Sequence, residues 1–544
     1  MKILFILPRF NKGFGTVYNK NETNIDYDYL MPVGMPYIAA YLKHNNYKDI
    51  EALNLNHTPG LVKDIVQNKV TQTHYDFVFT GTISIMYPAV RDIIKWVREA
   101  SPDTITVCGG GIISSNPELM IKLINPHYGI VFEGEETALE LIKCVEAHKP
   151  TDAIQGLVYK NANGEIVKTK ARPQIKDLNT LPFPDLELFG YSEYLQHQEL
   201  GGWNQYPRDY PPRPYMLVSA RGCAFFCSFC MHTTGPKYRY RSVENIMSEV
   251  KYAVEKYHIN FFTFLDELFS YDKPRALEFC RQFKEYQKTI PWRIEMYCNL
   301  RVDCADAEIL DAMKDCGNIV IGLGLESYNQ DVLNSMRKHI TPTQIKTTLQ
   351  MIADRNLVPQ GGFIFGDKAE TLETARETLK FIRDNPHLSR GGLFMGFIIP
   401  FPGTAIYKYA LEKGVIKDEI EFINKLTSTD YNYDNVYNFT ELSDKDFDIL
   451  KNEVFTLKYT AIPVSVPSAY GGGVVYVKCP HCGKIQNYKT TKLPRGQFSV
   501  GVICKNPECN GRFEMGTWYI KLGRLAVRIL GFKRMRQIKN WMGI

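Results

Sequence analysis

Three cysteines stand close together near the middle of the chain, in the segment RGCAFFCSFC at residues 221–230. They are Cys223, Cys227 and Cys230, and their C-x3-C-x2-C spacing puts three thiolates in one loop. A cubane iron–sulfur cluster accepts cysteine ligands, whereas a structural zinc site needs a fourth ligand. His232 is the candidate for that fourth ligand, but it follows Cys230 too closely in the sequence. The spacing therefore favours an iron–sulfur cluster with one iron left open.

A second group of cysteines lies near the C-terminus. It consists of Cys479 and Cys482 in CPHC and Cys504 and Cys509 in CKNPEC. Two thiolate pairs on two turns are what a tetrahedral zinc site requires, and the pattern resembles a zinc ribbon. The wider C-x4-C spacing of the second pair leaves an iron site of rubredoxin type or an auxiliary cluster open. Such a module can serve as a clip that stabilises the fold or as a recognition element.

Composition limits the classes of protein that need to be considered. A chain of 544 residues predicts two to four domains, and 44% hydrophobic and 23% charged residues are ordinary for a globular protein. The net charge of +6 does not require a nucleic-acid partner. Seven of the thirteen cysteines form the two groups, which indicates metal ligation in a reducing compartment. With neither a signal peptide nor a spanning segment in the pattern, we expect a cytoplasmic protein.

The elements that must position these cysteines follow from the apolar runs. Up to about residue 145, short apolar runs such as KILFIL and TITVCGG alternate with helix-like segments, which predicts a doubly wound α/β domain. From about residue 211, six more apolar runs alternate with helices, which predicts a full or partial βα barrel. In both arrangements ligands bind at the carboxyl ends of the strands. The predicted segments are 1–145 (first α/β domain), 146–210 (connector), 211–410 (barrel), 411–470 (helical extension), 471–520 (zinc-ribbon-like module) and 521–544 (basic amphipathic tail).

The barrel region resembles the radical S-adenosylmethionine (SAM) enzymes. The three-cysteine loop with Phe229 before its last cysteine, FLDELF at 264–269, CNLRVD at 298–303 and IGLGLES at 321–327 occur in the order of that superfamily. The resemblance implies a [4Fe-4S] cluster on the three cysteines, with SAM on the fourth iron. It also implies SAM contacts from Phe229, Glu267, Arg301 and Glu326. The chain departs from the superfamily at 366–371, where GDKAET replaces the usual Gly-Xaa-Pro-Gly-Glu-Thr, and no role is predicted there.

The first domain resembles the cobalamin-binding domain of a large radical SAM subfamily, which includes methyltransferases and the anaerobic magnesium-protoporphyrin ester cyclase. The resemblance rests on MPVGMPYIAAYLK at 31–43, VCGGG at 107–111 and FEGEET at 132–137. It implies that cobalamin binds at strand ends, where glycines allow close backbone approach and hydroxyls can donate. The residues placed there are Thr80, Thr82, Ser84, Gly109, Gly110, Gly111, Glu133 and Gly134. His57, in HTPG, lacks the preceding Asp of the cobalt-ligating motif and is predicted to be a loop histidine.

The last segment, residues 521–544, carries seven basic residues and no acidic ones, interleaved with apolar residues. A basic amphipathic helix of this kind can dock its apolar stripe on the protein's own core, lie on an anionic membrane surface or contact nucleic acid. These three alternatives stay open at the level of sequence, and docking on the core is the one we expect.

The resemblance implies an enzyme that depends on a [4Fe-4S] cluster, SAM and cobalamin, with zinc as a fourth cofactor. Its expected reaction is transfer of a methyl group to an unactivated carbon through a 5′-deoxyadenosyl radical. A radical cyclisation or rearrangement without methyl transfer, and a tRNA-modifying or nucleic-acid-binding protein, are the alternatives. The expected partners are a small-molecule or lipid-linked substrate, an electron donor such as flavodoxin or ferredoxin, and a membrane surface at the tail.

Overall fold

A computed structural model describes residues 1–10, 21, 23–25, 27–200, 211–428, 433–471, 473–490 and 499–542. The first domain is built on a seven-stranded sheet in the order β2-β1-β3-β4-β5-β6-β7. All five residues of the first and third strands are buried, as expected for a parallel sheet covered on both faces. The strands are β1 Ile3–Leu7, β2 Ile50–Asn54, β3 Phe77–Gly81, β4 Ile105–Gly109, β5 Tyr128–Ile130, β6 Leu157–Lys160 and β7 Ile166–Lys168.

Strands β1 to β5 are parallel, and helices cover the sheet, so the predicted doubly wound α/β domain is confirmed. Strand β6 runs antiparallel to this set, and β7 pairs antiparallel with β6, so the two strands extend the sheet as a hairpin into the segment predicted as a connector. The helices of the first domain are α1 Gly34–His44, α2 Val62–Gln72, α3 Tyr87–Ala100, α4 Gly111–Ser115, α5 Pro117–Ile124 and α6 Glu135–Glu146.

The segment between the two sheets packs closely on both of them. It contains helix α7 (Tyr191–Gln196), whose Tyr191 and Tyr194 are fully buried. The Asn54 amide at the end of β2 donates to the carbonyl of Phe189 at 2.9 Å, and the Tyr191 hydroxyl donates to the carbonyl of Pro214 at the start of the second sheet. The two α/β domains are therefore joined by an ordered core.

The second domain is a parallel six-stranded sheet in the order β15-β14-β13-β12-β11-β8, which confirms a partial βα barrel. A two-stranded ribbon, β9 with β10, flanks the three-cysteine loop. The strands are β8 Pro214–Leu217, β9 Ala220–Arg221, β10 Arg239–Tyr240, β11 Phe261–Phe264, β12 Glu295–Leu300, β13 Asn318–Glu326, β14 Val358–Phe365 and β15 Phe394–Phe397. The helices are α8 Val243–Tyr257, α9 Lys273–Gln287, α10 Ala307–Asp315, α11 Gln330–Ser335, α12 Pro342–Asp354, α13 Leu372–Asp384, α14 Pro386–Ser389 and α15 Ala405–Glu412.

The C-terminal region adds helices and a small β module. Its helices before the module are α16 Glu419–Ser428 and α17 Asp444–Ala461. The module has two three-stranded sheets, β16-β21-β20 and β17-β18-β19. Its strands are β16 Val464–Ser465, β17 Ala469–Gly471, β18 Val474–Lys478, β19 Ile485–Lys489, β20 Ser499–Ile503 and β21 Arg512–Gly516. Helices α18 (Trp518–Leu530) and α19 (Phe532–Met542) follow, and none of the helices in the described ranges has the length and apolar character needed to span a membrane.

The module closes the end of the barrel opposite the three-cysteine loop. Ile503 packs into a buried cluster with Phe261, Ile319, Val320 and Val358, which lie at the N-terminal ends of three barrel strands. Because the three-cysteine loop follows β8 and β9 at the C-terminal ends, the two cysteine groups lie at opposite ends of the barrel.

Candidate active site between the two α/β domains

The three-cysteine loop is fixed at its start by a glycine. Gly222 has a φ of +85°, and a Cβ atom at this position would lie 2.2 Å from the carbonyl oxygen of Lys237, so only glycine fits. Further along, the amide of Ser228 donates to the carbonyl of Met336 at 3.0 Å. The carbonyl of Ser228 accepts from the amide of Ile406, also at 3.0 Å. The backbone of the loop is thus held by segments that follow two other strands of the barrel sheet.

Phe229 anchors the loop in the protein. Its half-buried ring packs against a cluster formed by Val332, Met336, Ile398 and Ile406. The sequence predicts a SAM contact for Phe229, and the structure adds a packing role that orients the cysteines on either side of it.

The thiols of the loop influence one another. Desolvation by the surrounding protein raises the pKa of Cys230 to about 11; the nearby Cys227 and Cys223 raise it further, while Lys338 opposes this. Desolvation also raises the pKa of Cys223, to which Glu267 and Cys227 add. Three thiolates in this loop would therefore repel one another. A cationic cluster would relieve that repulsion, and three soft sulfur donors fit an iron–sulfur cluster.

Two acidic residues at the end of β11 have different environments. Asp266 is fully buried and accepts from the amides of Ser219 and Ala220 at 2.7 and 2.9 Å, which ties β11 to the entry of the cysteine loop. Glu267 is exposed, and its Oε1 lies 3.4 Å from the hydroxyl of Thr234 in the loop. This location beside the cysteine loop suits the predicted role of Glu267 as an acceptor for the ammonium group of SAM.

Arg301 supports the loop from the next strand end. Its guanidinium contacts Asp303 at 2.8 Å, donates to the carbonyl of Lys338 at 2.7 Å and lies 3.6 Å from the centre of the Phe225 ring. A buried cation stacked on an aromatic face is an attractive contact, so Arg301 holds the part of the loop between the first two cysteines. This packing role is additional to the predicted SAM contact.

Glu326, at the end of β13, is part of a buried ion pair. It has a φ of +60°, and its Oε1 accepts from Nζ of Lys338 at 2.8 Å. A Cβ atom at Gly324 would lie 2.4 Å from that oxygen, so glycine is needed beside the pair. Burial alone would lower the pKa of Lys338, but Glu326 and then Cys227 raise it overall. Lys338 therefore places a retained positive charge near the cysteine loop.

The glycine-rich end of β4 approaches this loop from the first domain. Gly110 has a φ of +82°, and a Cβ atom there would lie 3.0 Å from the carbonyl oxygen of Thr82. A Cβ atom at Gly111 would lie 3.5 Å from Cγ2 of Thr233, which follows the last cysteine. A Cβ atom at Gly81 would lie 2.1 Å from the carbonyl oxygen of Gly109, so glycine is needed at position 81. Gly81 and Gly110 thus shape the strand ends of the first domain, and Gly111 lies where this domain approaches the second.

The three hydroxyls predicted to face cobalamin differ in their hydrogen bonds and in their exposure. The Thr80 hydroxyl is buried and donates to the carbonyl of Ile6 at 2.9 Å, inside the sheet. The Ser84 hydroxyl donates to that of Ser115 at 3.1 Å, also in a buried position. Thr82 is half-buried at the strand end and is the one of the three with the better access to a ligand.

Glu133 has a role that the sequence does not predict. Its carboxylate accepts from Arg221 at 2.9 Å, from Arg239 at 2.8 Å and from the amide of Ile175 at 3.0 Å. Glu135 binds the other end of the Arg221 guanidinium at 2.7 Å. Three donors bind the buried carboxylate of Glu133, so it joins the two domains, a role additional to the predicted cobalamin contact.

Gly134 likewise serves packing. A Cβ atom at Gly134 would lie 2.7 Å from Cδ1 of Ile38, so glycine allows α1 to approach the start of α6. The adjacent Phe132 is more suggestive of function, since it combines a φ of +66° with a side chain that is 39% exposed. A non-glycine residue in this conformation is strained, and such strain is concentrated at functional sites.

His57 is half-buried in the loop that follows β2. Its Nε2 lies 2.9 Å from the hydroxyl of Tyr29, and its Nδ1 lies 3.6 Å from Oε2 of Glu193. Burial lowers the pKa of His57 to about 4. These contacts give it a part in the packing of the segment between the domains.

Sequence reasoning missed the roles of two arginines near the loop, and it considered His232 only as a zinc ligand. Arg221 and Arg239 form the β9–β10 ribbon, and each pairs with an acidic residue of the first domain. Arg221 comes two residues before the first cysteine, which is the one signal that could have drawn attention to it. Both ring nitrogens of His232 are buried without a hydrogen-bond partner within the described part of the chain. Buried polar atoms without a hydrogen-bond partner often mark a position where a ligand, an ion or a water molecule binds.

The four C-terminal cysteines form a separate candidate metal site. Their sulfur atoms all lie within 4.8 Å of one another. The Sγ atoms of Cys479 and Cys509 are 3.8 Å apart, and those of Cys482 and Cys504 are 3.7 Å apart. A tetrahedron with Zn–S bonds of about 2.3 Å has edges of about 3.8 Å. The four donors thus fit zinc.

Replacing Cys504 by serine should remove this metal and loosen the module, because three sulfurs cannot complete the tetrahedron. We expect elemental analysis to show the loss of about one zinc per chain, together with a lower Tm and an unchanged iron content. The Cys144→Ser variant, altered at a half-buried cysteine in α6, is the matched control and should keep its zinc. Zinc content in Cys504→Ser equal to that of the wild type would contradict the assignment.

Comparison with known proteins agrees with this geometry. The Radical SAM superfamily matches residues 217–382, and the B12 binding domain matches residues 26–142. Each match covers one of the two α/β domains described above. The chain therefore carries a B12 binding domain followed by a radical SAM domain.

Two proteins with assigned names are similar in sequence to this chain. An anaerobic magnesium-protoporphyrin IX monomethyl ester cyclase from Rubrivivax gelatinosus is 27% identical over 77% of this chain and 71% of its own length. An uncharacterized methyltransferase from Pyrococcus horikoshii is 26% identical over 76% of this chain and 84% of its own.

Among solved structures, the radical SAM methyltransferase TsrM from Kitasatospora setae has a similar fold. It has a TM-score of 0.61 and 17% identity, and the match covers 76% of each chain. TsrM has been solved with tryptophan and a SAM analogue, and also with cobalamin and a [4Fe-4S] cluster. At this level of identity the likeness establishes the shared fold.

Proposed function

We propose that this protein is a cobalamin-dependent radical SAM enzyme that transfers a methyl group to an unactivated carbon of a small molecule. The observation that carries the proposal is the meeting of two strand-end sites. The segment that follows the three-cysteine loop lies beside the glycine-rich strand end of the B12 binding domain, where a Cβ atom at Gly111 would be 3.5 Å from Cγ2 of Thr233. Relatives named as methyltransferases and the cofactors of TsrM support this reading.

Each part of the site has a task in this reaction. When bound, the cluster, SAM and cobalamin would supply radical formation and the methyl group. Cys223, Cys227 and Cys230 would bind the cluster, and Glu267 would accept hydrogen bonds from the SAM ammonium. Arg301 and the Glu326–Lys338 pair would hold the loop in place. On the other side, Gly109, Gly110, Gly111 and Thr82 would give cobalamin close access to the strand end.

Two further components complete the proposal. A one-electron donor of the flavodoxin or ferredoxin type would reduce the cluster. Zinc on the four C-terminal cysteines would stabilise the β module, which packs on the N-terminal ends of the barrel strands through Ile503. This location, at the end of the barrel opposite the cysteine loop, supports the role of a clip over that of a substrate-recognition element.

Isotope labelling tests the methyl transfer directly, whatever the substrate is. Cells that express the gene, and cells that lack it, are grown with methionine carrying a deuterated methyl group, and their metabolites are compared by mass spectrometry. We expect a metabolite that depends on the gene and carries the full deuterated methyl group. A gene-dependent product without the label would contradict methyl transfer.

The second candidate function is a radical cyclisation without methyl transfer, which the relationship to the Rubrivivax gelatinosus cyclase supports. The same labelling experiment separates the two, because a cyclised product has the carbon count of its precursor. A tRNA-modifying role receives less support, since the zinc module that could contact RNA lies at the far end of the barrel from the cysteine loop.

A further inference from the structure

Helix α18 carries an exposed apolar stripe. Trp518, Leu522, Leu525 and Ile529 are 60%, 58%, 51% and 72% exposed. Their spacing of four, three and four residues places all four on one face of the helix. Isolated exposed apolar residues are ordinary, but a contiguous row of large ones marks an interaction surface.

The opposite face of α18 is docked on the protein. Val527 is buried, and Arg524 pairs with Glu514 of β21 at 2.6 Å. In the next helix, the Phe532 ring packs on Phe455 of α17 with a centroid distance of 5.3 Å. The helix is therefore attached with its apolar stripe outward. This corrects the expectation that the stripe docks on the core, and the physical reason is that Val527 and Arg524, on the opposite face of α18, make the contacts with the body.

Basic side chains border the stripe. The segment from Trp518 to the end of the chain contains seven basic residues and no acidic ones. Lys521 and Arg528 are exposed, and Nζ of Lys521 lies 5.1 Å from the centre of the Trp518 ring. An apolar face bordered by lysine and arginine complements an anionic lipid surface, in which the side chains enter the acyl boundary and the cations contact headgroups.

The same charges argue against other occupants. A second copy of this chain would bring two surfaces of equal positive charge together, which is repulsive. Nucleic acid would satisfy the basic residues but would leave the apolar stripe in water. An anionic bilayer satisfies both parts of the surface at once.

We propose that α18 binds the protein to the surface of an anionic membrane, with Trp518, Leu522, Leu525 and Ile529 inserted and Lys521 and Arg528 at the headgroups. The helix lies in the plane of the interface and the rest of the protein stays in the aqueous phase. This inference goes beyond the proposed reaction and is independent of it.

Vesicle flotation with the full-length protein tests the proposal. Vesicles of phosphatidylcholine alone are compared with vesicles that also contain phosphatidylglycerol. We expect binding to the anionic vesicles, weakened by added salt, and at least about tenfold weaker binding after Leu522→Asp combined with Ile529→Asp. Lys521→Gln with Arg528→Gln should weaken binding to anionic vesicles alone.

A matched control is Ile420→Asp, altered at an apolar residue of α16 that is 46% exposed and lies off the stripe. It should bind as the wild type does, and circular dichroism should show all variants folded, because every altered side chain is exposed. Failure to bind either kind of vesicle would overturn the proposal. So would a wild-type dimer that becomes monomeric in Leu522→Asp with Ile529→Asp without vesicle binding, or RNA binding in place of vesicle binding.

Discussion

Replacing Cys227 by alanine should abolish the reductive cleavage of SAM. The open iron of a [4Fe-4S] cluster binds SAM only if the other three irons are held by protein ligands, and the loop offers no fourth thiol to substitute. We expect formation of 5′-deoxyadenosine, measured anaerobically with dithionite and SAM, to fall below about one thousandth of the wild-type rate. Cys223→Ala and Cys230→Ala should behave in the same way.

The control for this prediction is Cys304→Ala. Cys304 is half-buried and lies close enough to Cys223 to influence its environment, but it belongs to neither cysteine group. It should retain both the absorbance of the cluster and SAM cleavage. If Cys227→Ala still formed 5′-deoxyadenosine at the wild-type rate, the cluster assignment would be wrong.

The second large effect is expected at the junction of the two domains. Glu133→Gln leaves Arg221 and Arg239 buried with one carboxylate, that of Glu135, in place of two. Removing one partner of a buried ion pair costs about 3–5 kcal/mol, because the remaining charge stays in a region of low polarity. We expect a loss of this size in the free energy of unfolding of the wild-type fold, measured by urea denaturation.

The matched control is Glu136→Gln, three residues away. Glu136 lies 3.6 Å from Arg172, and its side chain is 43% exposed, so its loss should cost less than about 1 kcal/mol. Glu133→Gln and Arg239→Gln should also be non-additive in a double-mutant cycle. Equal stability of Glu133→Gln and Glu136→Gln would show that the junction is not held by this network.

The strands of both domains and the two cysteine groups could be predicted from the sequence for a physical reason. Buried parallel strands are continuous apolar runs, such as KILFIL at the start of the chain, and this pattern does not depend on which strands lie beside them. The cysteines of each group are few residues apart, or on two turns, so spacing alone restricts their chemistry. The prediction that SAM binds the fourth, open iron came from the resemblance to radical SAM enzymes.

The roles of Glu133 and of the C-terminal module depend on partners far away in sequence. Glu133 binds Arg221 across 88 positions, and a motif that ends a strand cannot show whether its carboxylate meets a cofactor or an arginine. Ile503 reaches barrel strands that lie far earlier in the chain, so the placement of the module depends on packing that spacing does not encode.

The orientation of helix α18 on the protein could not be predicted from the sequence either. The periodicity of α18 correctly indicated one apolar and one basic face, but it could not show which face the body of the protein covers. That choice was decided by Glu514 and the carbonyl of Ile462, which bind Arg524 on the polar side. Amphipathicity in a sequence therefore predicts a surface helix without predicting its orientation.

The most direct test of the central claim is anaerobic reconstitution of the wild-type protein with iron, sulfide and cobalamin, followed by incubation with SAM and dithionite. We predict that one purified species carries both a [4Fe-4S] cluster and cobalamin and forms 5′-deoxyadenosine in a reaction that requires the reductant. A protein that takes up neither group, or that carries both and leaves SAM intact, would contradict the account.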